Sequence, residues 1–406
     1  MLLRMRRQPV EQHKCKTHYS VIMMLTKNLQ GNVMLKISAY IALLSILVLS
    51  AFPSTYLASD RQNEIAGYKL LKTYSKVVGN NSNLPFLFPP DTSFEDSSGH
   101  FWFSSLRNVF RYREKDSQWD VFQNVISPSS GFISYICQSR DGKIWARSAL
   151  GKGSEGIVYF CGDKWRPGSE ILPFKIDGTV NAMFTGKDGR LWIFIKEGLL
   201  VYDGQQWSAE IAMPESIGRA YAQLQARRPH FESPNRSKPL SNASNVFCGL
   251  VDQDGYIWLG TRHTILRVDE KKREWTYYSL PQNLGQVRYI YEDSQARLWV
   301  SDDWGCVAVF DKHTFEWRVY KLLEPTLNTL TPEAFFPVYS MYQGKKRYMI
   351  FTTIIGLMIL DETLNEWKIC DSRNSALPTD FVTTIMADRH DRIWLGTGQG
   401  ILLLGQ

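Results

Sequence analysis

The sequence predicts an all-β fold, a seven-bladed β-propeller of four-stranded blades, and three observations carry that expectation. The first is a phrase that recurs seven times: a tight polar turn, a strand with a central aromatic, a small-residue break, and a second strand ending near an acid. It reads DSSGHFWFSSLRNVFRY from Asp96, RDGKIWARS from Arg140 and KDGRLWIFIKEGLLVYD from Lys187. It returns as QDGYIWLGTRHTILRVD from Gln253 and SQARLWVSDDWGCVAVFD from Ser294. A degenerate copy, GKKRYMIFTTIIGLMILD, starts at Gly344, and the last, RHDRIWLGTGQGILLL, starts at Arg389. The second observation is the spacing. The anchoring positions Trp102, Trp145, Trp192, Trp258, Trp299, Ile350 and Trp394 stand 43, 47, 66, 41, 51 and 44 residues apart. Repeats of roughly 40–50 residues built from short strands are the signature of propeller blades. The third is that the seventh unit stops at Gln406 without an outer strand, while YKLLKTYSKVVGNNSNLP from Tyr68 reads like the outer segment EWKICDSRNSALP from Glu366. The N-terminal strand is expected to complete the last blade and leave no orphan edge.

The chain before the repeats reads differently. Residues 1–36 form a basic tail with Arg4, Arg6, Arg7, Lys14, Lys16, Lys27 and Lys36 against Glu11. Of the total charge of +7 this tail holds +6, leaving 40 basic and 39 acidic groups in the other 370 residues. A near-neutral body lacks the electrostatic footprint of a phosphate-backbone binder, so nucleic acid is not an expected partner. Residues 37–59 carry no charge, and ISAYIALLSILVLSAF from Ile37 is strongly apolar. Positive residues ahead of such a stretch keep the N-terminus inside and send the body across the membrane. The stretch sits near the lower limit of about 17 residues for a spanning helix, so it reads as a signal-anchor or as a cleaved signal peptide. Both place the body, 60–406, outside the cytoplasm. The body cysteines Cys137, Cys161, Cys248, Cys306 and Cys370 are scattered without a C-x-x-C and read as small buried hydrophobes.

The fourth unit shows how a blade is read. Val246–Asp252 is a strand, Gln253–Tyr256 a turn, and Ile257–Thr261, Ile265–Asp269 and Trp275–Tyr278 are three more strands. Asp254-Gly255 between apolar runs is a hairpin signal, because both turn positions tolerate positive φ. The central Trp has a packing reason: blades stack about 10 Å apart and need large apolar side chains between them. A second aromatic (Trp119, Trp165, Trp207, Trp275, Trp317 or Trp367) marks the outer strand in six units. Connections between strands one and two and between strands three and four are short and alike. The variable ones join strand four to the next blade, or strand two to strand three. They include Lys321–Phe336, Ala146–Gly156 and an insertion at 208–245 that is rich in Arg and ends in a Pro/Ser/Asn-rich loop. Both variable classes are expected on one face, the mouth of the central funnel, where function usually resides.

The phrase D-x-x-G-x-[LI]-W-[IL]-G-T-x-x-G-[LI], followed by an acid, an outer aromatic and an N-x-L-P close, resembles the two-component regulator propeller repeat, over Tyr68–Gln406. It is strongest at Gln253–Asp269 and Asp388–Leu404 and weakest at Gly344–Asp361. The resemblance implies a ligand-sensing ectodomain of the kind found on bacterial membrane histidine kinases, including hybrid sensors of oligosaccharides. No kinase or second membrane span follows the seventh blade here, so signalling is expected to need a separate partner.

Candidate ligand-binding residues come from the strand-two to strand-three loops: Arg107, Arg147, Lys196 with Glu197, Arg262 with His263, and Asp302, Asp303 with Trp304. An aromatic beside two carboxylates suits a glycan or peptide, stacking on an apolar face while the acids accept hydroxyl or amide hydrogens. The plain alternative is that these charges are solvated and Trp304 covers a blade edge. No cofactor, metal or catalytic residue is expected: Asp252-x-Asp254-Gly255 lacks the remaining ligands of a calcium loop and is read as turn chemistry. The expected function is a non-catalytic ligand- or protein-binding propeller. The alternatives are an enzyme similar to streptogramin lyases, for which the mouth offers only His230 and His263 as imidazoles, and a structural scaffold.

Overall fold

The computed structural model describes residues 64–65, 68–79, 82–85, 90–149, 151, 153–172, 176, 180–195, 198–217, 246–302, 305–321, 337–344 and 347–405. All lie in the second of two compact units, 57–406. The basic tail 1–36 and the apolar segment 37–59 lie outside the described residues. Among the described residues no helix is long and apolar enough to cross a membrane.

Seven antiparallel sheets form the body, one for each repeat. Their innermost strands are Thr92–Glu95, Ile133–Gln138, Ala182–Thr185, Cys248–Val251, Tyr289–Glu292, Ser340–Gln343 and Val382–Ala387. Each of these touches the next all the way round, with the seventh against the first. The result is a seven-bladed propeller whose inner strands wall a central channel. In blade four the remaining strands are Ile257–Gly260, Thr264–Asp269 and Glu274–Ser279, within a residue or two of the sequence reading.

Closure follows the expected route. Tyr68–Tyr74 is the outer strand of blade seven and pairs antiparallel with Gly400–Gly405, with Leu70 opposite Leu404 and Tyr74 opposite Ile401. At the end of that strand Tyr74 stacks on Trp394, with centroids 5.9 Å apart, and tilts against Tyr112 of blade one at 5.2 Å. The chain then forms a hairpin, Lys76–Gly79 with Ser82–Pro85, whose first strand runs parallel to the outer strand Gln118–Phe122 of blade one. A single N-terminal segment thus completes one blade and covers the edge of its neighbour.

The repeat phrase has a side-chain explanation. The Asp six residues before the Trp accepts, through one oxygen, the amides two and four residues on, and through the other the Trp indole. Asp252 takes the N–H groups of Asp254 and Tyr256 at 3.0 and 2.9 Å and the Nε1–H of Trp258 at 2.7 Å. Asp96, Asp293 and Asp388 hold Trp102, Trp299 and Trp394 in the same way, and in blade two Ser139 takes the carboxylate's place. One residue therefore fixes a hairpin turn and aims a large ring into the joint between blades. These five Trp residues, with Trp192 of blade three, are the largest fully buried side chains among the described residues. Trp145 packs with Met183, Ile193 and Leu200 of blade three, and Trp258 with Leu298, Val300 and Phe310 of blade five. Blade three lacks the acid. Gly186 stands in its place, and the indole nitrogen of Trp192 is buried without a partner. The outer strand of that blade runs to Ala212, so the first residues of the expected 208–245 insertion are strand. Residues 218–245 lie outside the described residues.

Two stability outcomes follow. Trp258→Phe should cost roughly 1.5–3 kcal/mol more than Trp192→Phe in denaturant unfolding, because only Trp258 loses a hydrogen bond to a charged group. Gly400 adopts φ +123°, and a Cβ there would meet the Tyr74 carbonyl oxygen at 2.2 Å. Gly400→Ala should therefore lower stability by about 1–3 kcal/mol and speed amide exchange in Tyr68–Tyr74, whereas strain without loosening of the closing strand would leave that exchange unchanged.

Candidate functional site

The two variable classes of connection meet on one face. The amides of Val125 and Ile133, in the link from blade one to blade two, donate to the carbonyls of Arg107 and Leu106 in the strand-two to strand-three turn. Leu280 donates to the His263 carbonyl, Val287 to that of Thr261, and Gly398 to that of Phe381. On the opposite face the short turns are tied between blades, for example Arg190 to Glu270, Arg297 to Glu362 and Arg392 to Glu114. Lys312 there binds Asp252, Asp254 and Glu292. That face carries the charged ties that hold the disc together.

At the mouth end of the channel one position recurs in every blade. The amides of Asp91, Asn181, Phe247, Arg288 and Tyr339 each donate, at 2.7–3.0 Å, to the carbonyl two residues past the anchoring Trp or Ile. Blades two and seven carry a register shift there. In blade two Ser134 Oγ donates to the Arg147 carbonyl at 3.3 Å, and in blade seven Thr383 Oγ1 stands 3.3 Å from the Gly396 carbonyl while giving its proton to that of Pro90 at 2.6 Å. The backbone ring is regular, but its side chains are an acid, two hydroxyls, an amide, two aromatics and a guanidinium. Phe247 lies 5.8 Å from the Arg288 guanidinium, and Tyr339 packs edge-on to Phe381 at 5.8 Å.

Two adjoining cavities occupy the channel, of about 380 Å³ and about 370 Å³. They share Ser134, Tyr135 and Tyr289. Each falls in the size range of small-molecule sites, about 300–1,000 Å³. The first holds Asp91, Thr92, Tyr339, Ser340 and Thr384; the second holds Arg147, Cys248 and Arg288. Asp91 remains open to water inside the channel but is ringed by protein, and burial raises its carboxyl to about 7 despite the 3.0 Å bond from the Leu106 amide. Burial also pushes the hydroxyls of Tyr135 and Tyr289 up, so both stay protonated donors, and lifts the Cys248 thiol to about 12. The channel is thus a poorly solvated polar space.

The sequence-derived candidates are distributed unevenly over this geometry. Arg147 reaches the channel. Arg107, Arg262 and His263 are half-buried in mouth turns beside it, and none of the three lines either cavity. Asp302 is fully buried and braces its loop: Oδ2 accepts the Gly285 amide and Oδ1 the Cys306 amide, both at 2.8 Å. Its carboxylate serves the scaffold. Lys196, Glu197, Asp303 and Trp304 lie outside the described residues. The channel residues Asp91, Tyr135, Arg288, Tyr289 and Tyr339, in or just before the inner strands, were not among the candidates. Their signal was positional, 10 or 11 residues upstream of the anchoring Trp or Ile.

With this geometry in view, three comparisons are informative. Residues 376–399, at the seventh repeat, match the two component regulator propeller family. No curated protein matches by sequence. The fold is similar to the extracellular domain assigned to a one component system of B. thetaiotaomicron, with 18% identity and a TM-score of 0.54 over 83% of this chain. The chain spans 40% of the length of that domain. It is also similar to virginiamycin B lyase from Staphylococcus aureus, at 14% identity and TM-score 0.55, covering 84% of this chain and 99% of the lyase. A third likeness is to PorZ of Porphyromonas gingivalis, a surface component of the type-IX secretion system, at 13% identity and TM-score 0.54, covering 78% of this chain and 46% of PorZ. Likeness at these identities establishes the fold, on which several activities are built.

The Asp91 carboxyl makes a pH prediction. Its folded pKa lies above its unfolded value, so the folded state holds the extra proton and this group costs stability as pH rises from about 4 towards about 7. Asp91→Asn, which keeps an acceptor for the Leu106 amide, should raise Tm relative to the parent at pH 8 and by less at pH 5. An equal effect at both pH values would show that Asp91 titrates normally.

Proposed function

Taking the chain as a propeller that carries two component regulator repeats, we propose that it is an extracytoplasmic, non-catalytic recognition module. It binds a small polar ligand, a glycan or a peptide, at the mouth end of its channel and signals through a separate partner protein. The observation that carries this reading is the ring of equivalent mouth positions, where rigid backbone presents Asp91, Ser134, Phe247, Arg288 and Tyr339 to one channel. Aromatic faces stack on apolar sugar or side-chain surface, while the acid and hydroxyls pair with hydroxyl or amide groups in a site that needs little reordering on binding. The basic tail and apolar segment, together with the similar extracellular domain, support a place outside the cytoplasm.

A second reading is catalysis of the lyase type. It is favoured by the similar lyase and by Asp91, a channel carboxyl raised into the range of a general base at neutral pH. One experiment separates the two. Neutral glycans and amidated peptides are screened by thermal shift, and each hit is followed by mass spectrometry. Recognition predicts a raised Tm, an unaltered ligand, and roughly tenfold weaker binding in Tyr339→Ala. Consumption of the ligand would select the lyase reading. Binding lost in Arg107→Ala and Arg262→Ala but kept in Tyr339→Ala would move the site to the outer loops.

A further inference from the structure

The position two residues past the anchoring Trp or Ile is small or apolar in six blades: Ser104, Phe194, Gly260, Ser301, Thr352 and Gly396. In blade two it is Arg147. The strand shifts register between Arg147 and Ser148, and such bulges re-aim a side chain. Here the guanidinium is delivered into the second cavity. Its Nη1 donates to the carbonyls of Val180 and Asn181, both at 2.8 Å. Its Nε is buried with no partner, and among the described residues no carboxylate pairs with it.

A cation drawn partly out of water with no carboxylate beside it is costly to keep, and half-buried Arg147 is such a group. Burial lowers its pKa to about 10, with the Tyr135 hydroxyl the one group acting the other way. The scaffold has no need of this charge, because a small or apolar residue fills the same place in every other blade. The other cations of the body found near buried acids are paired: Arg297 with Asp293 and Glu362, Arg392 with Asp388 and Glu114, Lys312 with Asp252 and Glu292. A second guanidinium, Arg288, enters the same cavity. Hydroxyls of Ser134, Tyr135 and Tyr289 stand beside them as neutral hydrogen-bond partners.

We propose that the second cavity binds the carboxylate of the ligand, with Arg147 as its principal partner, so that the ligand is a sugar acid or a peptide with a free C-terminus. This rests on the channel being a recognition site and specifies what enters it. With Nη1 committed to carbonyls and Nε enclosed by protein, the guanidinium offers Nη2 and its charge to a carboxylate in the cavity. Arg147 is a binding residue here: in a cavity that Lys187, Arg288 and Glu292 also line, it is a cation that no carboxylate among the described residues pairs with.

The test uses the full chain and five probes in calorimetry: glucuronate, glucose, a dipeptide with a free C-terminus, its C-terminal amide, and inorganic phosphate. Glucuronate or the free dipeptide should bind, with the neutral counterpart weaker, and Arg147→Met should weaken the bound probe at least about thirtyfold. Arg147→Lys, which keeps the charge without the fork, should lose less. Arg147→Met should also match or exceed the parent in Tm without ligand, since it removes an uncompensated buried charge. A lower Tm with unchanged affinity would make Arg147 a structural tie to Val180 and Asn181 and overturn the proposal. Binding of phosphate alone, or equal binding of acids and neutral counterparts, would overturn it too. Equal binding would leave channel recognition standing, whereas no binding of any probe or library member would remove both.

Discussion

Everything in this molecule depends on one pairing between distant stretches of chain, Tyr68–Tyr74 against Gly400–Gly405. Without it blade seven would end in an open edge and the wedge between blades seven and one would be wet. Bringing such distant segments together costs entropy that grows only as the logarithm of the loop, so a ladder of strand bonds is enough to offset it. The seam is tied more heavily than a strand pair requires. Thr383 Oγ1 donates to the Pro90 carbonyl at 2.6 Å, Ser93 and Thr384 share a hydrogen bond of 2.6 Å, and Arg389 and Arg392 reach Glu95 and Glu114. The aromatic stack of Tyr74, Trp394 and Phe101 fills the joint. These ties span blades that are last and first in sequence, so they form only when the ring is whole.

Closure then frees the centre from structural duty. In four blades the Asp–Trp bond sets the turn and the packing toward the next blade, and the opposite face carries the charged ties between blades. With those tasks placed elsewhere, the inner strands can differ from blade to blade at little cost. The mouth positions illustrate this: in five blades their backbone bonds are alike while their side chains include Asp91, Phe247, Arg288 and Tyr339. A symmetrical frame supports an asymmetrical channel.

The same division explains what could be read from sequence. The blades, the turn residues and the closing strand were legible because packing demands the same residues at each repeat. Trp102 and Trp394 stand in one physical situation, and so do Asp96 and Asp388. The channel was not legible as a site, since Asp91, Arg288 and Tyr339 share no residue type, only a distance from the phrase that follows. Asp302 shows the converse. Its place beside an acid and a Trp in sequence suggested sugar recognition, yet in space the carboxylate turns back to the amides of Gly285 and Cys306. Arg147 was singled out as a loop charge; it belongs to a strand and reaches the channel through a bulge.

The charges inside the channel gain meaning from their separation. Asp91 lines one cavity and Arg147 the other, and among the described residues no ion pair joins them. Had they met, each would have relieved the other, with the acid held below its usual range and the guanidinium above it. The opposite is found: burial raises the carboxyl to about 7 and lowers the guanidinium to about 10. Two groups of opposite charge are thus kept apart across a shared wall of Ser134, Tyr135 and Tyr289. An ion pair between them would have been the cheaper arrangement for folding. Holding them apart makes the channel polar along its length, and a ligand with hydrogen-bond donors at one end and a carboxylate at the other satisfies both ends at once.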